Sequence, residues 1–349
     1  MKKYNVAVVG ATGLVGRKML QILQERDFPV DRLLPLASAA SAGKTLFFGE
    51  SEVMVEELTR ESFAGIHFAL FSAGGDISTS FAPVAAAEDA IVIDNSSAWR
   101  MDKNVPLVVP EVNAQALQKH SGIVANPNCS TIQMVVALQP LRKFGLRRIV
   151  VSTYQGVTGS GKKAVEQLRL ERSGESAADP AYPHPIANNC LPHIDRFFDD
   201  DYTREEHKMI DETRKIMDLP QLLISPTCAR IPVTGGHSES INIEFDKPFQ
   251  MADIHSALEN APGIVVVDSP ADNRYPMPIE AADSDAVFVG RLRRDASLAS
   301  GLNMWVVSDN LRKGAATNTV QIAEAMVKHK LVASNTDGQQ ISTTMESRQ

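Results

Sequence analysis

The junction Lys3-Tyr4-Asn5-Val6-Ala7-Val8-Val9 followed by Gly10-Ala11-Thr12-Gly13-Leu14-Val15-Gly16 decides the fold. The first seven residues are rich in β-formers. Beyond them, Leu14, Met19, Leu20 and Leu23 recur at helical spacing. Strand, glycine loop and helix in that order open a dinucleotide-binding sheet: glycines let the backbone approach a pyrophosphate, and the helix N-terminus offers it free N–H groups. Three spaced glycines would also suit a plain tight turn. Their position directly after a first strand points to dinucleotide binding.

Outward from this unit, Leu33 to Ala37 reads as the second strand. An NAD site places a carboxylate at the end of that strand to hold the ribose 2′-hydroxyl. Here the strand runs instead into Ser38-Ala39-Ala40-Ser41-Ala42-Gly43-Lys44, whose hydroxyls and ammonium suit a 2′-phosphate and hence NADP; an ordinary Ser/Gly loop is the alternative. Further strands are expected at Ile66–Phe71, Ala90–Ile93, Leu107–Val109 and Ile123–Ala125, with helical segments at Phe81–Glu88 and Asn113–Lys119 between them. This alternation predicts a parallel, doubly wound α/β sheet, with ligands outside the carboxyl ends of its strands. The Gly10–Gly16 loop, Ser72-Ala73-Gly74-Gly75 and the turn Asn126-Pro127-Asn128-Cys129-Ser130-Thr131 then converge. Arg100 follows another strand end and reaches the same mouth, unless it merely packs beside Trp99.

Cys129 stands where the apolar strand stops and the apolar run Ile132–Leu141 begins. A thiol in the first turn of a helix faces free N–H groups and the positive end of the helix dipole, which favour thiolate. Cys129 is therefore a candidate nucleophile, weighed against a buried structural cysteine.

The second half opens with a strand, Arg148–Gln155, a glycine loop, Gly156–Gly161, and a helix, Lys162–Leu170. Residues 173–192 form an irregular excursion. Thr203-Arg204-Glu205-Glu206 has capping-box spacing and starts a helix with Met209, Ile210, Thr213, Ile216 and Met217 inward. Glu205 and Lys208 share a face of it, as an exposed ion pair would. Arg230, on the strand Thr227–Val233, and His237, before Glu239–Phe245, straddle a glycine turn and point to one pocket. Strands at Ile264–Asp268, Ala286–Leu292 and Leu302–Ser308 predict a mixed or antiparallel second sheet, followed by an amphipathic helix at 315–330.

A chain of 349 residues with 44% hydrophobic content accommodates two domains. We divide it into a nucleotide domain (1–128, completed by 315–330), a catalytic and dimerisation domain (129–314) and a flexible tail (331–349). Cys129, Cys190 and Cys228 make neither a disulfide framework nor a metal pattern, which suits a reducing cytoplasm. A net charge of −7 without a long basic run argues against nucleic acid. Val6–Val9 is too short for a signal peptide, and no segment approaches the roughly 20 apolar residues of a membrane span.

Gly10–Gly16, Asn126–Thr131, Thr153-Tyr154-Gln155, Glu205 with Lys208, Arg230-Ile231-Pro232-Val233 and His237, in that order, resemble the aspartate-semialdehyde dehydrogenase family over the whole chain apart from the tail. The resemblance implies a Rossmann-like domain and an α+β domain with a mixed sheet, assembled as a homodimer or homotetramer. It implies NADPH-dependent reduction of L-aspartyl 4-phosphate to L-aspartate 4-semialdehyde and phosphate, on the route to lysine, diaminopimelate, threonine and methionine. Cys129 would carry the acyl group, His237 would act as acid and base, and Gln155 would orient the substrate. Arg230 and Glu205 would take its carboxylate and amino groups, and Arg100, Lys208 and Asn128 its phosphate. Gly10, Ala11, Thr12, Gly13, Leu14, Val15, Ser38, Ala39, Ser41, Ser72, Thr158, Gly159 and Asn310 would hold the cofactor, with no metal. Family members often carry arginine where this chain has Ala40, and the departure predicts a relaxed preference for NADP over NAD. The rival readings are N-acetyl-γ-glutamyl-phosphate reductase, a glyceraldehyde-phosphate dehydrogenase, or a non-catalytic NADP sensor.

Overall fold

The computed structural model describes residues 2–332, so the expected tail lies, from residue 333 on, outside the described residues. The first half comprises β1 (Tyr4–Val9), α1 (Leu14–Glu25), β2 (Val30–Ala37), β3 (Thr45–Phe48), β4 (Ser51–Met54), β5 (Glu56–Glu57), β6 (Phe68–Phe71), α2 (Gly75–Ala87), β7 (Ile91–Asp94), α3 (Pro110–Asn113) and β8 (Ile123–Ala125). The second comprises α4 (Cys129–Leu138), β9 (Leu146–Gln155), α5 (Lys162–Arg172), α6 (Arg204–Met217), β10 (Leu223–Arg230), β11 (His237–Phe245), α7 (Met251–Glu259), β12 (Ile264–Val266), α8 (Pro278–Ala281), β13 (Val287–Asp295), β14 (Gly301–Ser308) and α9 (Thr317–Lys328).

The first sheet is wholly parallel, in the order β5-β2-β1-β6-β7-β8. From β1 the chain goes to β2 on one side and to β6 on the other, so the strand order reverses there and opens the crevice in which such sheets bind ligands. Val6, Val8 and Val9 are fully buried because helices cover both faces, which is why the strand reads as an unbroken apolar run. Gly10, at φ +83°, makes the turn out of β1; a Cβ there would lie 2.3 Å from the Ser72 carbonyl oxygen, so the two loops at the switch point pack directly together. α9 returns to this half, where Val320, Ile322 and Met326 join Val6, Val8 and Leu20 in one core.

The second sheet is mixed, in the order β10-β9-β11-β14-β13-β12, with β10 and β12 parallel to their neighbours and the central pairs antiparallel. Along β9, Ile149, Val151, Thr153 and Gln155 are buried while Val150, Ser152 and Tyr154 are only partly so, the alternation of a sheet packed on one face. α4 lies against that packed face. Every residue from Ser130 to Leu138 is buried, and its aliphatic side chains join a core that includes Val9, Phe71 and Ala125 from one sheet and Val151, Ile241 and Val306 from the other. Burial of each such side chain contributes about 1.5–3 kcal/mol, so the start of α4 is anchored from both halves.

Several boundaries differ from expectation. Leu107–Val109 is a single bridge to Ala125, since Pro106 has no N–H to donate and Pro110 opens α3. α2 begins at Gly75, six residues before the apolar pattern, with the Thr79 and Ser80 hydroxyls bonded back to the carbonyls of its first turn. β10 ends at Arg230, before Pro232. The expected helix at 315–330 begins as a π-turn, Arg312–Ala316, and continues as α9. The β3–β4 hairpin and α7 were not anticipated. Among the described residues no helix is long and apolar enough to cross a membrane.

Candidate active site

The carboxyl ends of the first sheet's strands face the ends of β9, β10 and β11 across a cavity of about 460 Å³. That volume suits a small polar molecule. Of the expected residues, Val15, Ser72, Arg100, Asn128, Cys129, Gln155, Thr158, Gly159, Glu205, Lys208, Arg230 and Asn310 line it. His237 joins them beneath Gly159: a Cβ at that glycine would lie 2.8 Å from Arg230 Nη1 and 3.2 Å from His237 Nε2, so only glycine fits over both groups. Gly10–Gly13 form the loop, and Leu14 opens the helix that carries Val15. Ser38, Ala39 and Ser41 lie apart from the cavity lining, in the exposed turn that follows β2.

Cys129 is the first residue of α4, and Asn128 is its N-cap, accepting the N–H groups of Ser130 (3.0 Å) and Thr131 (3.2 Å). The same Asn128 donates through Nδ2 to Glu205 (2.9 Å), and its own N–H goes to Glu212 (2.7 Å). The cap thus fixes the thiol's backbone from both sides. Behind it the π-turn brings Gly314 so close that a Cβ there would meet Cys129 Cβ at 2.8 Å. Although Cys129 keeps partial exposure, burial and the Glu205 carboxylate push its thiol up to about 12, outweighing Arg230, Arg100 and Lys208. This reverses the expectation from the helix terminus. Burial together with a nearby carboxylate outweighs half a unit of dipole charge, two of whose N–H groups Asn128 already occupies. The alkylation rate of Cys129 by iodoacetamide in the free protein is therefore expected to rise about tenfold per pH unit from pH 7 to 10. A plateau near neutral pH would show a preformed thiolate instead.

His237 is fully buried at the start of β11, cross-strand from Gln155. Burial and the Arg230 guanidinium push its imidazole down to about 3, so at neutral pH it is uncharged. Nδ1 lies 3.1 Å from the Gly156 N–H and 3.0 Å from the Gly236 carbonyl. In one tautomer Nδ1 accepts the Gly156 N–H; in the other Nδ1–H donates to the Gly236 carbonyl, and Nε2, which has no partner among the described residues, is then the free base. Arg230 donates through Nη1 to the Gly156 carbonyl (2.7 Å), while its buried Nε has no acceptor among the described residues. That side of the fork is open to a carboxylate.

Glu205 is not the exposed partner expected: it is buried and held down to about 2, because Lys208 (3.0 Å), Asn128 and Arg230 overcome the effect of burial. Gln155 also donates to it (3.2 Å). The capping box of α6 is present as read, with Thr203 and Glu206 reciprocally bonded. Arg100 is buried, donating to the carbonyls of Asn126 (3.0 Å) and Asn95 (2.8 Å) and pairing with Glu212 (3.0 Å). These three bonds leave two of the five guanidinium N–H groups for an anion. On the nucleotide side, Gly13 caps α1 without a side chain, so the first-turn N–H groups are unclaimed by one, as a pyrophosphate requires.

Residues 5–120 match the family model described as semialdehyde dehydrogenase, NAD binding domain, and residues 138–313 the one described as semialdehyde dehydrogenase, dimerisation domain. The chain is 55% identical to the aspartate-semialdehyde dehydrogenase of Aquifex aeolicus over 94% of this chain and 99% of that one, and 50% identical to that of Bacillus subtilis with the same coverage. The chain belongs to the aspartate-semialdehyde dehydrogenase family. Aspartate semialdehyde dehydrogenase II of Vibrio cholerae, solved as a complex with ASA, superposes with a TM-score of 0.91 at 46% identity, over 94% of this chain and 99% of that one. As a member of this family the chain is an oxidoreductase that takes a nicotinamide dinucleotide.

Sequence reasoning missed Glu212, which joins Arg100 to the Asn128 backbone, and Asp195, which reaches Lys208 at 3.2 Å. It also missed Lys162, whose Nζ crosses to the Thr12 carbonyl (2.8 Å). Glu212 carried a signal: it lies one residue from Thr213 on the inward stripe of α6. The other two carried none.

Proposed function

We propose that the protein catalyses NADPH-dependent reduction of L-aspartyl 4-phosphate to L-aspartate 4-semialdehyde and phosphate through a thioester on Cys129. The observation that carries this reading is the pairing, in one cavity, of a buried ionised Glu205 with the open Arg230 fork beside a thiol. A free α-amino group calls for the carboxylate and an α-carboxylate for the guanidinium. An N-acetylated substrate has no use for Glu205.

In this reading Arg230, Glu205 and Gln155 hold the amino-acid end. Cys129 Sγ bonds to the acyl carbon as its proton passes to His237 Nε2, and the carbon–oxygen bond to phosphate breaks. Arg100, Lys208 and Asn128 receive the phosphate, Arg100 with its two remaining donors. The dinucleotide, when bound, supplies the hydride that reduces the thioester carbon. His237 serves the oxygen of the tetrahedral adduct, and the carbon–sulfur bond then breaks to free the aldehyde. Gly10–Val15 with Ser72, Thr158, Gly159 and Asn310 would hold the dinucleotide. Residues 1–128 with 315–330 form the nucleotide domain and 129–314 the catalytic one. The half-open face of the second sheet, with Tyr154 and Trp305 side by side at 5.5 Å, suits pairing into a homodimer, or a homotetramer built from two. Three free cysteines suit a reducing cytoplasm, and the product aldehyde is a precursor for lysine, diaminopimelate, threonine and methionine.

NADP reduction by aspartate semialdehyde, with and without phosphate, tests the reaction. Phosphate-independent turnover, or preference for the N-acetylglutamate analogue, would overturn it. The choice of NADP is supported by the hydroxyls of Ser38 and Ser41 and by Lys44, which reaches Ser41 Oγ at 3.2 Å, with no carboxylate in the turn. Ala40 is exposed within it. Ala40→Arg is expected to raise the NADPH-to-NADH ratio of kcat/KM by about 10- to 100-fold, the effect of one charge-assisted hydrogen bond. The gain should come through KM for NADPH, because the 2′-phosphate is far from the hydride. An unmoved ratio would mean that the turn does not face the ribose.

A further inference from the structure

The irregular segment after α5 reaches the cavity, which Ile194 and Asp195 help to line. Two points pin it. Leu191 exchanges backbone hydrogen bonds with Arg230 (2.9 and 2.8 Å) at the edge of β10, and Phe197 bridges Thr203, the N-cap of α6. Between these pins Asp195 turns through φ +69°, a region that Asp and Asn enter far more readily than other side-chain-bearing residues. Its Oδ1 accepts the N–H of Arg196 (2.9 Å) and its Oδ2 meets Lys208 Nζ (3.2 Å).

Three carboxylates therefore stand on the two cations assigned above to phosphate. Glu212 holds Arg100 but is also bound to the Asn128 N–H, and Glu205 holds Lys208 but is also bound to Asn128 and Gln155. Both are buried on α6. Asp195 differs: its side chain is one-third exposed, its backbone is irregular, and its second oxygen is bound only to its own neighbour. Of the three it alone can leave without opening the core.

We propose that Asp195 is a displaceable counter-anion of the phosphate site, which occupies Lys208 when the site is empty and yields it to the phosphoryl oxygens. No covalent step is involved. The exchange trades one ion pair for another, so Asp195 lowers the affinity for phosphate and hastens its release as product. Its role is to tune Lys208.

The inference rests on the assignment of Arg100 and Lys208 to phosphate, and the test separates the two. Asp195→Asn keeps the shape, the tolerance of positive φ and the acceptor for Arg196, and removes only the charge. Measured in the aldehyde-oxidising direction, its KM for inorganic phosphate is expected to fall about two- to fivefold, the range of a partly exposed ion pair. The inhibition constant of phosphate in the reductive direction should fall equally, with KM for semialdehyde and for dinucleotide unchanged, a split that general loosening of the loop would not produce. Asp195→Gly, which also accepts positive φ, should act in the same direction. A phosphate KM that stays or rises in both variants, while Lys208→Ala raises it, overturns the proposal and leaves the phosphate assignment standing. If Lys208→Ala leaves that KM unchanged, the assignment falls and the proposal with it.

Discussion

Cys129→Ala loses phosphate-dependent turnover by at least about a thousandfold and binds dinucleotide as the parent does. The substitution removes only Sγ. The Cβ against which Gly314 packs remains, as do the Asn128 cap and the rest of α4, whose side chains are buried from both sheets. The dinucleotide is assigned to the glycine loop and the N-terminus of α1, neither of which depends on the thiol. Steady-state assay in both directions and cofactor titration by fluorescence check the two halves of the expectation separately. Residual turnover within tenfold of the parent would exclude an acyl-enzyme, whereas loss of cofactor binding would place the thiol in the nucleotide site.

The second large effect is that of Arg230→Lys, which keeps the charge and loses the function. Lysine cannot donate to the Gly156 carbonyl and present a second, parallel pair of donors to a carboxylate at once, since it offers a point charge on a flexible stem. The guanidinium does the first through Nη1 at 2.7 Å and leaves Nε without a partner among the described residues. Loss of one charge-assisted bond of about 1.5–3 kcal/mol lowers kcat/KM for semialdehyde about 10- to 100-fold. Because Arg230 lies beside His237 under Gly159, part of the loss should appear in kcat. Kinetics within a few-fold of the parent would make Arg230 a structural residue of β10.

Much of the molecule was legible without coordinates because the signals are local. Val6–Val9 is an unbroken apolar run because helices cover both faces of its sheet, and that pattern holds within the strand itself. The turn residues before Cys129 and the Thr203–Glu206 box act over two or three residues, so the starts of α4 and α6 could be read directly. Where competing short-range effects met, reading failed: flanking prolines reduced Leu107–Val109 to one bridge, and hydroxyls bonded to their own helix hid the first turn of α2.

The sequence by itself thus determined the parallel character of the first sheet, the glycine loop at the head of α1 and the placing of Cys129 at a helix start. Tertiary structure alone decided what that placing means chemically. The thiol is pushed up rather than down because burial and Glu205 act on it, and Glu205 comes from a helix far along the chain. Arg100 is held by Glu212 across 112 residues, and Asp195 reaches Lys208 from a segment that Leu191 ties to β10 and Phe197 to the start of α6. The physical reason is range. Caps, turns and apolar periodicity depend on neighbours a few residues away, whereas the dielectric around a charge and the identity of its partner depend on which distant segments the fold brings to within a few ångströms.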